Sequence, residues 1–382
     1  MKLLLTGNEA AAWACKLSKP QCVPTFPITP QTIVIETLET WKAKGEIPGI
    51  DVVQQESEHS VMSFCIAASA VGSRTFTATS SQGLLLMHEM LYIASGMRLP
   101  IVMVNVSRAI SAPISLWPDH QDFLGCRDAG WIMMHAKNVQ EVLDFTIMAY
   151  KIAENQNVLL PVMVNQDGYT LSFTEEPVEI PDQKAIDDFL GVYQSDHNIS
   201  PDRKLCVGAP VMAEHYSNFK IQQYKAMENS RDVIRQVFEE WYKLTGRAYG
   251  LVDFLPAKNE TEMVLVTQGS MSTTTRHVCR QYDNIGHLNL PVIRPLPDDK
   301  IAASLLGADK VVVLDRNVMP GKGGIMAQEI KEILYGYVHK PKVFSVIVGL
   351  GGVPQTEDKI ISIIKKVKNT ILPSGVDFND VI

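Results

Sequence analysis

Four short motifs carry side chains that could bind a small organic anion and move a proton. They are Phe26-Pro27-Ile28-Thr29-Pro30, Glu56-Ser57-Glu58-His59-Ser60, Thr79-Ser80-Ser81-Gln82-Gly83 and Ser107-Arg108-Ala109. Together they supply a hydroxyl group, a carboxyl group, small polar groups and a guanidinium group. A guanidinium group binds a carboxylate through two parallel hydrogen bonds, and a carboxyl group in a dry crevice seeks a partner with an exchangeable proton.

Arg108 and Glu58 each allow two interpretations. Arg108 follows the apolar run 99–106, so its guanidinium group either binds a substrate carboxylate or pairs with an internal acid. Glu58 opens an apolar helix at the edge of a crevice, where burial raises the pKa of a carboxyl group. The alternative is a carboxylate that caps the first turn of that helix. Glu56 is the rival acid and His59 is a neighbour, and we favour neither for catalysis.

The elements that must position these motifs alternate between strands and helices over the first 165 or so residues. The apolar, β-branched runs predict strands at 23–26, 52–55, 75–79, 101–106, 132–136 and 159–164. Thr29 before Pro30 predicts a helix N-cap and a helix to about Lys44, and Ser57 predicts a cap for a helix over 58–70. Ligands bind beyond the carboxyl ends of parallel strands, so the four motifs should share one crevice.

The rest of the chain predicts a connector and a second α/β segment. Residues 176–205 are polar and contain proline, which indicates an excursion over the surface. A long helix follows, with its apolar face ending at Gly246. Strands are then expected at 263–267, 290–293, 311–314 and 343–348, with a helix over 274–282. We therefore expect an α/β fold with a large domain over 1–245, a linker over 246–258 and a smaller α/β domain over 259–382.

Composition excludes several classes of protein. The chain has 382 residues, of which 46% are hydrophobic, and a net charge of −7 without a basic block, so nucleic-acid binding is not expected. The apolar run 99–106 is too short to span a bilayer. The leucines that open the chain imitate a signal peptide, but residues 6–9 end the run before an apolar core forms. We therefore expect a soluble protein of the cytoplasm without a membrane partner.

Neither cysteine spacing nor other clusters predict a metal site in this chain. The six cysteines are scattered singly and form no C-x-x-C pair, so we expect all six to be small buried side chains. The run Asp119-His120-Gln121-Asp122 holds possible ligands, but adjacent residues seldom face one ion. We expect that run to be a loop or a helix start with solvated charges.

The four motifs closely resemble the alpha subunit of the 2-oxoacid:ferredoxin oxidoreductases, and most of all pyruvate:ferredoxin oxidoreductase (pyruvate synthase). The resemblance extends through Arg127-Asp128-Ala129-Gly130-Trp131 and Gly349-Leu350-Gly351-Gly352. It implies a thiamine-diphosphate-type pyrimidine-binding domain with a parallel sheet, followed by a smaller domain like the transketolase C-terminal domain.

The resemblance also implies roles for individual residues. Glu58 matches the catalytic glutamate that hydrogen-bonds N1′ of the aminopyrimidine ring of thiamine diphosphate. Thr29 and Arg108 match the residues that hold the oxo group and the carboxylate of the substrate. The remaining cofactor-binding positions that the motifs imply are Pro27, Ile28, Ser81 and Gln82.

Partners follow from the same resemblance. Thiamine diphosphate is expected to be shared with a beta subunit that holds its diphosphate and Mg²⁺. [4Fe–4S] clusters belong to the beta and delta subunits, a gamma subunit contributes to coenzyme A binding, and ferredoxin accepts the electrons. Without a partner, Phe26, Ile28 and Leu84 are expected to be exposed.

Two alternatives remain open. One is the same chemistry on a branched-chain or other 2-oxoacid. The other is a non-catalytic scaffold or regulatory paralogue, against which the joint presence of Thr29, Glu58 and Arg108 counts.

Overall fold

The computed structural model describes residues 1–195, 198–202, 205–373 and 375–379. The strands are β1 Lys2–Leu5, β2 Cys22–Thr25, β3 Asp51–Gln54, β4 Phe76–Thr79, β5 Val102–Ser107, β6 Ile132–His135, β7 Val162–Asp167, β8 Glu176–Glu179, β9 Asp253–Leu255, β10 Met263–Thr267, β11 Ile285–Asn289, β12 Val292–Arg294, β13 Lys310–Asp315, β14 Lys342–Ile347 and β15 Val376–Phe378. The helices are α1 Gly7–Ser18, α2 Thr32–Ala43, α3 Glu58–Ala70, α4 Ser81–Leu86, α5 His88–Gly96, α6 Gln121–Gly125, α7 Val139–Ala153, α8 Gln183–Leu190, α9 Ala213–Thr245, α10 Met271–Cys279, α11 Asp298–Leu305, α12 Ile325–Tyr335 and α13 Glu357–Lys368.

The N-terminal sheet has the strand order β12-β6-β7-β5-β4, in which β6, β7, β5 and β4 run parallel. Every residue of these four parallel strands is buried, as the continuous apolar sequence of such strands requires. The parallel pair β2–β3 extends this sheet through a single bridge between Cys22 and Thr75. The carboxyl ends of β2, β4 and β5, which precede three of the motifs, therefore lie at one edge.

The C-terminal sheet has the strand order β15-β14-β13-β10-β11-β9, with only β9 antiparallel among its described strands. A strand was expected over 290–293 in this second segment. Instead, β12 pairs antiparallel with β6 of the N-terminal sheet. Buried side chains from both sheets, among them Met133 and Val264, pack into one apolar cluster. The two α/β parts therefore share a core, and the boundaries at 246–258 stay a prediction.

Two helix starts test the capping predictions. The Ser57 hydroxyl accepts a hydrogen bond from the backbone N–H of Ser60 at 3.3 Å, so this cap is confirmed. The cap predicted at Thr29 is wrong, because α2 begins at Thr32. Residues 28–31 form a turn instead, in which the Gln31 N–H donates to the Ile28 carbonyl at 2.9 Å.

The first part of the segment 176–205 is packed rather than an excursion over the surface. Strand β8 pairs antiparallel with β1, and α8 buries Ile186 and Phe189. The Phe189 ring lies edge-on to Trp241 of α9, with 5.1 Å between the ring centres. The predicted surface excursion is therefore wrong for this first part. The polar composition misled because β8 and α8 are short and pack through only a few apolar side chains. The end of α9 is confirmed, since Gly246 forms its C-cap with φ 75°.

Five further side chains differ from expectation, and two of them, Phe26 and Ile28, are half-buried rather than exposed. Cys206 is exposed and Cys22 is half-buried, whereas the other four cysteines are buried. Leu84 is fully buried, since it lies on the inner face of α4, and Leu85 and Leu86 of the same helix are exposed instead. Across the described ranges, the helices are too short or too polar for any of them to cross a membrane.

The buried carboxylate of Asp167, at the end of β7, joins the two α/β parts. Its Oδ1 atom lies 2.6 Å from Nε2 of His120 and 3.2 Å from Nε2 of His135. Its Oδ2 atom accepts hydrogen bonds from the backbone N–H of Ser270 at 2.9 Å and from Nη1 of Arg316 at 3.0 Å. All five residues are buried, and we call the group the Asp167 cluster: Asp167, His120, His135, Ser270 and Arg316.

The Asp167 cluster balances its charges internally. Burial by itself raises the pKa of Asp167, but His120, Arg316 and the hydrogen bonds outweigh it and hold that pKa well below its ordinary value. Burial lowers the pKa of His120 to about 4, and Asp167 only partly opposes this shift. At neutral pH the cluster therefore pairs an ionised Asp167 with the Arg316 cation, while His120 is uncharged.

The structure overturns the prediction of solvated charges over 119–122. Asp119, His120 and Asp122 are all buried. His120 joins the Asp167 cluster, and Asp122 accepts hydrogen bonds from backbone N–H groups, so both side chains find partners that replace water. A sequence pattern does not reveal such partners, because they lie on distant parts of the chain.

The His120→Gln variant tests the charge state of the Asp167 cluster. The pKa of His120 is about 4 in the folded chain against 6.5 ordinarily, so protonation favours unfolding between these values. Stability from this group is complete above about pH 6.5 and is lost as the pH falls towards 4. Gln keeps an N–H donor but does not titrate. The melting temperature of the variant should therefore fall less between pH 7 and pH 5 than that of the wild type.

The measurement is thermal unfolding followed by circular dichroism at both pH values. His339→Gln, a change at an exposed histidine, serves as the control and should retain the wild-type difference. An equal fall in melting temperature for His120→Gln and the wild type would contradict the assignment.

Candidate active site

The carboxyl ends of β2, β4 and β5 and the start of α3 come together at one edge of the sheet, and we call the space that they border the crevice. The residues that follow these strands belong to three of the four motifs, and Glu58 is the first residue of α3. This meeting follows from the parallel strand order, which places the strand ends along one edge of the sheet.

Glu58 presents a carboxyl group that the rest of the chain leaves available. The residue is only 6% exposed, and burial raises the pKa of its carboxyl group. In the part of the chain that the structure describes, no other residue's side chain hydrogen-bonds this carboxyl group. Gly83 faces it so closely that a Cβ atom there would lie 2.5 Å from Oε1 of Glu58 and 2.6 Å from Oγ1 of Thr79. The turn therefore needs glycine, and the buried Thr79 hydroxyl also lacks a partner.

Arg108 presents an unpaired cation at the end of β5. Its Nη1 atom donates to the Thr29 carbonyl and its Nη2 atom to Oε1 of Gln82, both at 2.7 Å. Its buried Nε atom has no partner among the described residues, and none of their acidic side chains forms an ion pair with its guanidinium group. Burial lowers the pKa of Arg108. The charge of Asp122 partly opposes this lowering, but Asp122 forms no ion pair with the guanidinium group. Among the described residues the alternative of an internal ion pair is therefore not supported, and three N–H bonds stay free for a ligand.

The structure brings together four of the residues that the sequence singled out. Ser81, at φ 47°, places its hydroxyl oxygen 2.5 Å from Oε1 of Gln82 and 2.8 Å from the Ala109 carbonyl. Gln82 and the Thr29 carbonyl in turn hold Arg108. The contribution of Thr29 to these contacts is its carbonyl group, whereas its side chain is exposed.

Two predicted cofactor residues lie at the rim of the crevice. Pro27 is exposed and Ile28 is half-buried, in the loop between β2 and α2. The loop is fixed from behind, because Nδ2 of Asn8 donates to the Pro30 carbonyl at 2.7 Å. Glu56, the rival acid, is exposed, and a hydrogen bond from Ser60 lowers its pKa. Glu58 is therefore the buried carboxyl group of its motif.

Asp122 lies behind the crevice and was not among the site residues predicted from the sequence. Its Oδ2 atom accepts hydrogen bonds from the backbone N–H of Ser81 at 2.9 Å and of Arg108 at 3.2 Å. Nδ2 of Asn105 donates to the same atom at 3.2 Å. Burial raises the pKa of Asp122 to about 7, and these donors oppose the rise because they stabilise the ionised form. The one sequence signal for Asp122 was its place two residues after His120, in a run that predicts solvated charges.

Mg²⁺ does not fit the Asp167 cluster well. Across the described residues, His120, His135 and Asp167 form the one group of three whose ligand atoms all lie within 4.8 Å of one another. Mg²⁺ prefers oxygen ligands, and this group offers a single carboxylate. Arg316 already provides a cation beside that carboxylate. The cluster is therefore a structural junction between the two sheets.

Family models match both α/β parts of the chain. A model described as pyruvate flavodoxin/ferredoxin oxidoreductase, thiamine diphosphate-binding, matches residues 13–239. A second model, described as pyruvate:ferredoxin oxidoreductase core domain II, matches residues 261–360. The second match coincides with the segment that contains β10 to β14.

Two solved structures share the fold. A 2-oxoglutarate:ferredoxin oxidoreductase from Magnetococcus marinus, solved with 2-oxoglutarate, coenzyme A and succinyl-CoA bound, has a TM-score of 0.74 at 21% identity. The match covers 96% of this chain and 65% of that chain, so this chain spans about two thirds of its length. A split-gene transketolase, an inactive tetramer, has a TM-score of 0.54 at 13% identity over 95% of this chain and 97% of that chain. Both likenesses confirm the predicted fold class.

Curated relatives are similar over nearly the whole chain. Pyruvate synthase subunit PorA of Methanocaldococcus jannaschii is 45% identical, over 96% of this chain and 94% of its own length. Its counterpart from Methanothermobacter thermautotrophicus is 40% identical, over 96% and 95%. Ketoisovalerate oxidoreductase subunit VorA of Pyrococcus horikoshii is 37% identical, over 99% and 96%. The resemblance that the motifs suggested is thus confirmed, and the chain belongs to the family of pyruvate:ferredoxin oxidoreductase alpha subunits.

Proposed function

We propose that this chain is the alpha subunit of a thiamine-diphosphate-dependent pyruvate:ferredoxin oxidoreductase. The enzyme converts pyruvate and coenzyme A to acetyl-CoA and carbon dioxide, and oxidised ferredoxin accepts the two electrons released. The reaction is reversible. The observation that carries the proposal is a pair of buried groups at one edge of the sheet: the Glu58 carboxyl, which no other described side chain hydrogen-bonds, and the Arg108 guanidinium, whose Nε atom has no described partner.

The residues around Glu58 fit the aminopyrimidine ring of thiamine diphosphate. A buried carboxyl group that no other described side chain hydrogen-bonds suits a ring nitrogen that gains and loses a proton, and the raised pKa of Glu58 matches this task. Gly83 keeps the opposite wall of the crevice free of a side chain. Glu58 would hold a proton at N1′ of the ring, while Ser81, Gln82, Pro27 and Ile28 line the approach. Thiamine diphosphate, when bound, supplies the carbanion chemistry that decarboxylation of a 2-oxoacid needs.

Arg108 would bind the carboxylate of the substrate. Its two contacts with Thr29 and Gln82 fix the plane of the guanidinium group and leave donors free. A planar donor fork binds a carboxylate in two places, and a substrate carboxylate would supply the missing counter-charge. Thr29 holds the oxo group of the substrate from the exposed rim of the same crevice.

Partner subunits would supply the remaining cofactors. A beta subunit holds the diphosphate and Mg²⁺, beta and delta subunits carry [4Fe–4S] clusters, and a gamma subunit contributes to coenzyme A binding. Support comes from the cysteines of this chain, four of which are buried, and from the Asp167 cluster, whose ligand atoms suit Mg²⁺ poorly. The cytoplasm is the compartment that we expect for the assembly.

A branched-chain 2-oxoacid is the second candidate substrate. It is favoured by the 37% identity to a ketoisovalerate oxidoreductase subunit, which is close to the 40% identity to a pyruvate synthase subunit. Both substrates carry the same 2-oxo carboxylate, so Glu58 and Arg108 would act identically on each.

Anaerobic co-expression with the candidate partner subunits tests the proposed function. We expect a brown complex in which pyruvate drives coenzyme-A-dependent reduction of a dye. A panel of 2-oxoacids identifies the substrate, and a preference for 2-oxoisovalerate would favour the second candidate. A colourless, inactive lone chain would support the scaffold alternative instead.

The Glu58→Gln variant tests the proton-holding role. The amide keeps the shape of the side chain but does not titrate, so hydrogen exchange at C2 of bound thiamine diphosphate should slow about 10²–10⁴-fold. Exchange is followed by NMR on the assembled complex. Glu56→Gln, at the exposed neighbouring acid, is the matched control and should exchange like the wild type. Wild-type exchange in Glu58→Gln would remove Glu58 from this role.

The Arg108→Ala variant tests the substrate-binding role. Removing one partner of a buried charge pair costs about 2–5 kcal/mol, so kcat/KM for pyruvate should fall about 30-fold to several thousand-fold. Thiamine diphosphate binding, measured by calorimetry on the complex, should hardly change. Arg235→Ala, at an exposed arginine of α9, is the control. Loss of cofactor with an unchanged response to pyruvate would show that Arg108 is structural.

A further inference from the structure

One buried carboxylate reaches the backbone of two separate motifs. Asp122 is fully buried, and its Oδ2 atom accepts from the N–H groups of Ser81 and Arg108, which lie 27 residues apart in the chain, at 2.9 Å and 3.2 Å. Its Oδ1 atom accepts from the backbone N–H of Phe123 at 2.7 Å. Together with Nδ2 of Asn105, four N–H donors converge on this side chain. A group that offers only acceptors, as a carboxylate does, is the one that satisfies all four.

The turns that Asp122 holds carry the groups of the crevice. Ser81 begins α4 in the left-handed region, at φ 47°, which is a conformation that serine adopts only when its surroundings impose it. The next two residues of this turn are Gln82, which contacts Arg108, and Gly83, which faces Glu58. A shift of the Ser81 peptide would therefore move the partners of both groups at once.

We propose that Asp122 is a positioning residue, whose carboxylate locks the turn at Ser81 to the Arg108 backbone and so aligns Glu58 and Arg108 on one crevice. The proposal rests on the proposed function for what the crevice does. The lock itself is a property of this chain alone. Asp122 does not reach the crevice, because its carboxylate is enclosed by the four donors, and it acts through the backbone.

The Asp122→Asn variant removes one acceptor and puts an N–H₂ group in its place. Whichever way the amide turns, at least one of the converging donors then faces another donor. An unsatisfied buried N–H costs about 1–3 kcal/mol, which corresponds to about 5- to 150-fold faster local opening. Amide hydrogen exchange of the full chain, read by mass spectrometry, should therefore accelerate by that factor in peptides that cover 80–84 and 107–109.

Asp128→Asn, at an exposed acid six positions along, is the matched control and should exchange like the wild type. Peptides from β13 and β14 give the reference for global unfolding. Acceleration confined to the two turns supports the proposal. Equal acceleration everywhere would show a general structural role and overturn it, and so would unchanged exchange at the turns.

A second measurement does not depend on the variant. In the wild-type chain, the Ser81 amide lies in a turn at the edge of the sheet, where amides ordinarily exchange fast unless a buried acceptor protects them. The proposal requires slow exchange there, and rapid exchange of the wild-type Ser81 amide would overturn it even if Asp122→Asn does not fold.

Steady-state kinetics of the complex separate positioning from general damage. Misalignment of Arg108 should raise KM for the 2-oxoacid about tenfold or more, whereas a smaller folded fraction would lower kcat at unchanged KM. An unchanged KM in Asp122→Asn would contradict the alignment. Failure of the wild-type complex to oxidise any 2-oxoacid would instead overturn the proposed function, while the exchange data would still decide whether the lock exists.

Discussion

The need to neutralise one desolvated charge, that of Asp167, governs how this chain is assembled. An ionised carboxylate that is fully buried destabilises a fold by several kcal/mol unless charges and hydrogen bonds replace water around it. Asp167 obtains those partners from both α/β parts: His120 and His135 from the first, and Ser270 and Arg316 from the second. Correct docking of the two α/β parts is therefore a condition for stability. Strand β12 adds backbone hydrogen bonds across the same junction, because it pairs antiparallel with β6 of the N-terminal sheet.

The same constraint reaches the crevice along the chain. The imidazole of His120 contacts Asp167, and the backbone N–H of His120 donates to the Arg316 carbonyl at 2.8 Å. The segment that starts α6 is therefore fixed at both its side chain and its backbone. Asp122 lies on that segment and holds the backbone of two motif loops. The junction between the sheets and the geometry of the crevice are thus connected through three residues of one short segment. This connection explains why a loop rich in titratable groups is buried rather than solvated.

The two groups of buried charge in this chain differ in how complete they are. In the Asp167 cluster the carboxylate has donors on both oxygens, and its charge is balanced by a cation of the same chain. In the crevice, no other described side chain donates to Glu58, and Arg108 forms no ion pair with a described acid, although the charge of the nearby Asp122 raises its pKa. A fold retains unpaired buried groups at a cost in stability, and such groups cluster where a ligand completes them. The difference separates a junction that stabilises the fold from a site that awaits a ligand.

The sequence by itself determined the parallel strands, the motifs at their carboxyl ends, the cap at Ser57 and the end of α9, because apolar runs and capping residues act over a few positions. It also singled out Arg108, which directly follows the buried strand β5, and Glu58, which opens the apolar helix α3. Only the tertiary structure decided that Thr29 lies outside α2, that Asp122 holds two loops, that β12 joins the other sheet and that residues 119–122 are buried. Each of these depends on partners that are distant in the chain, and a burial cost that is large in isolation becomes acceptable only when folding brings those partners within hydrogen-bond distance.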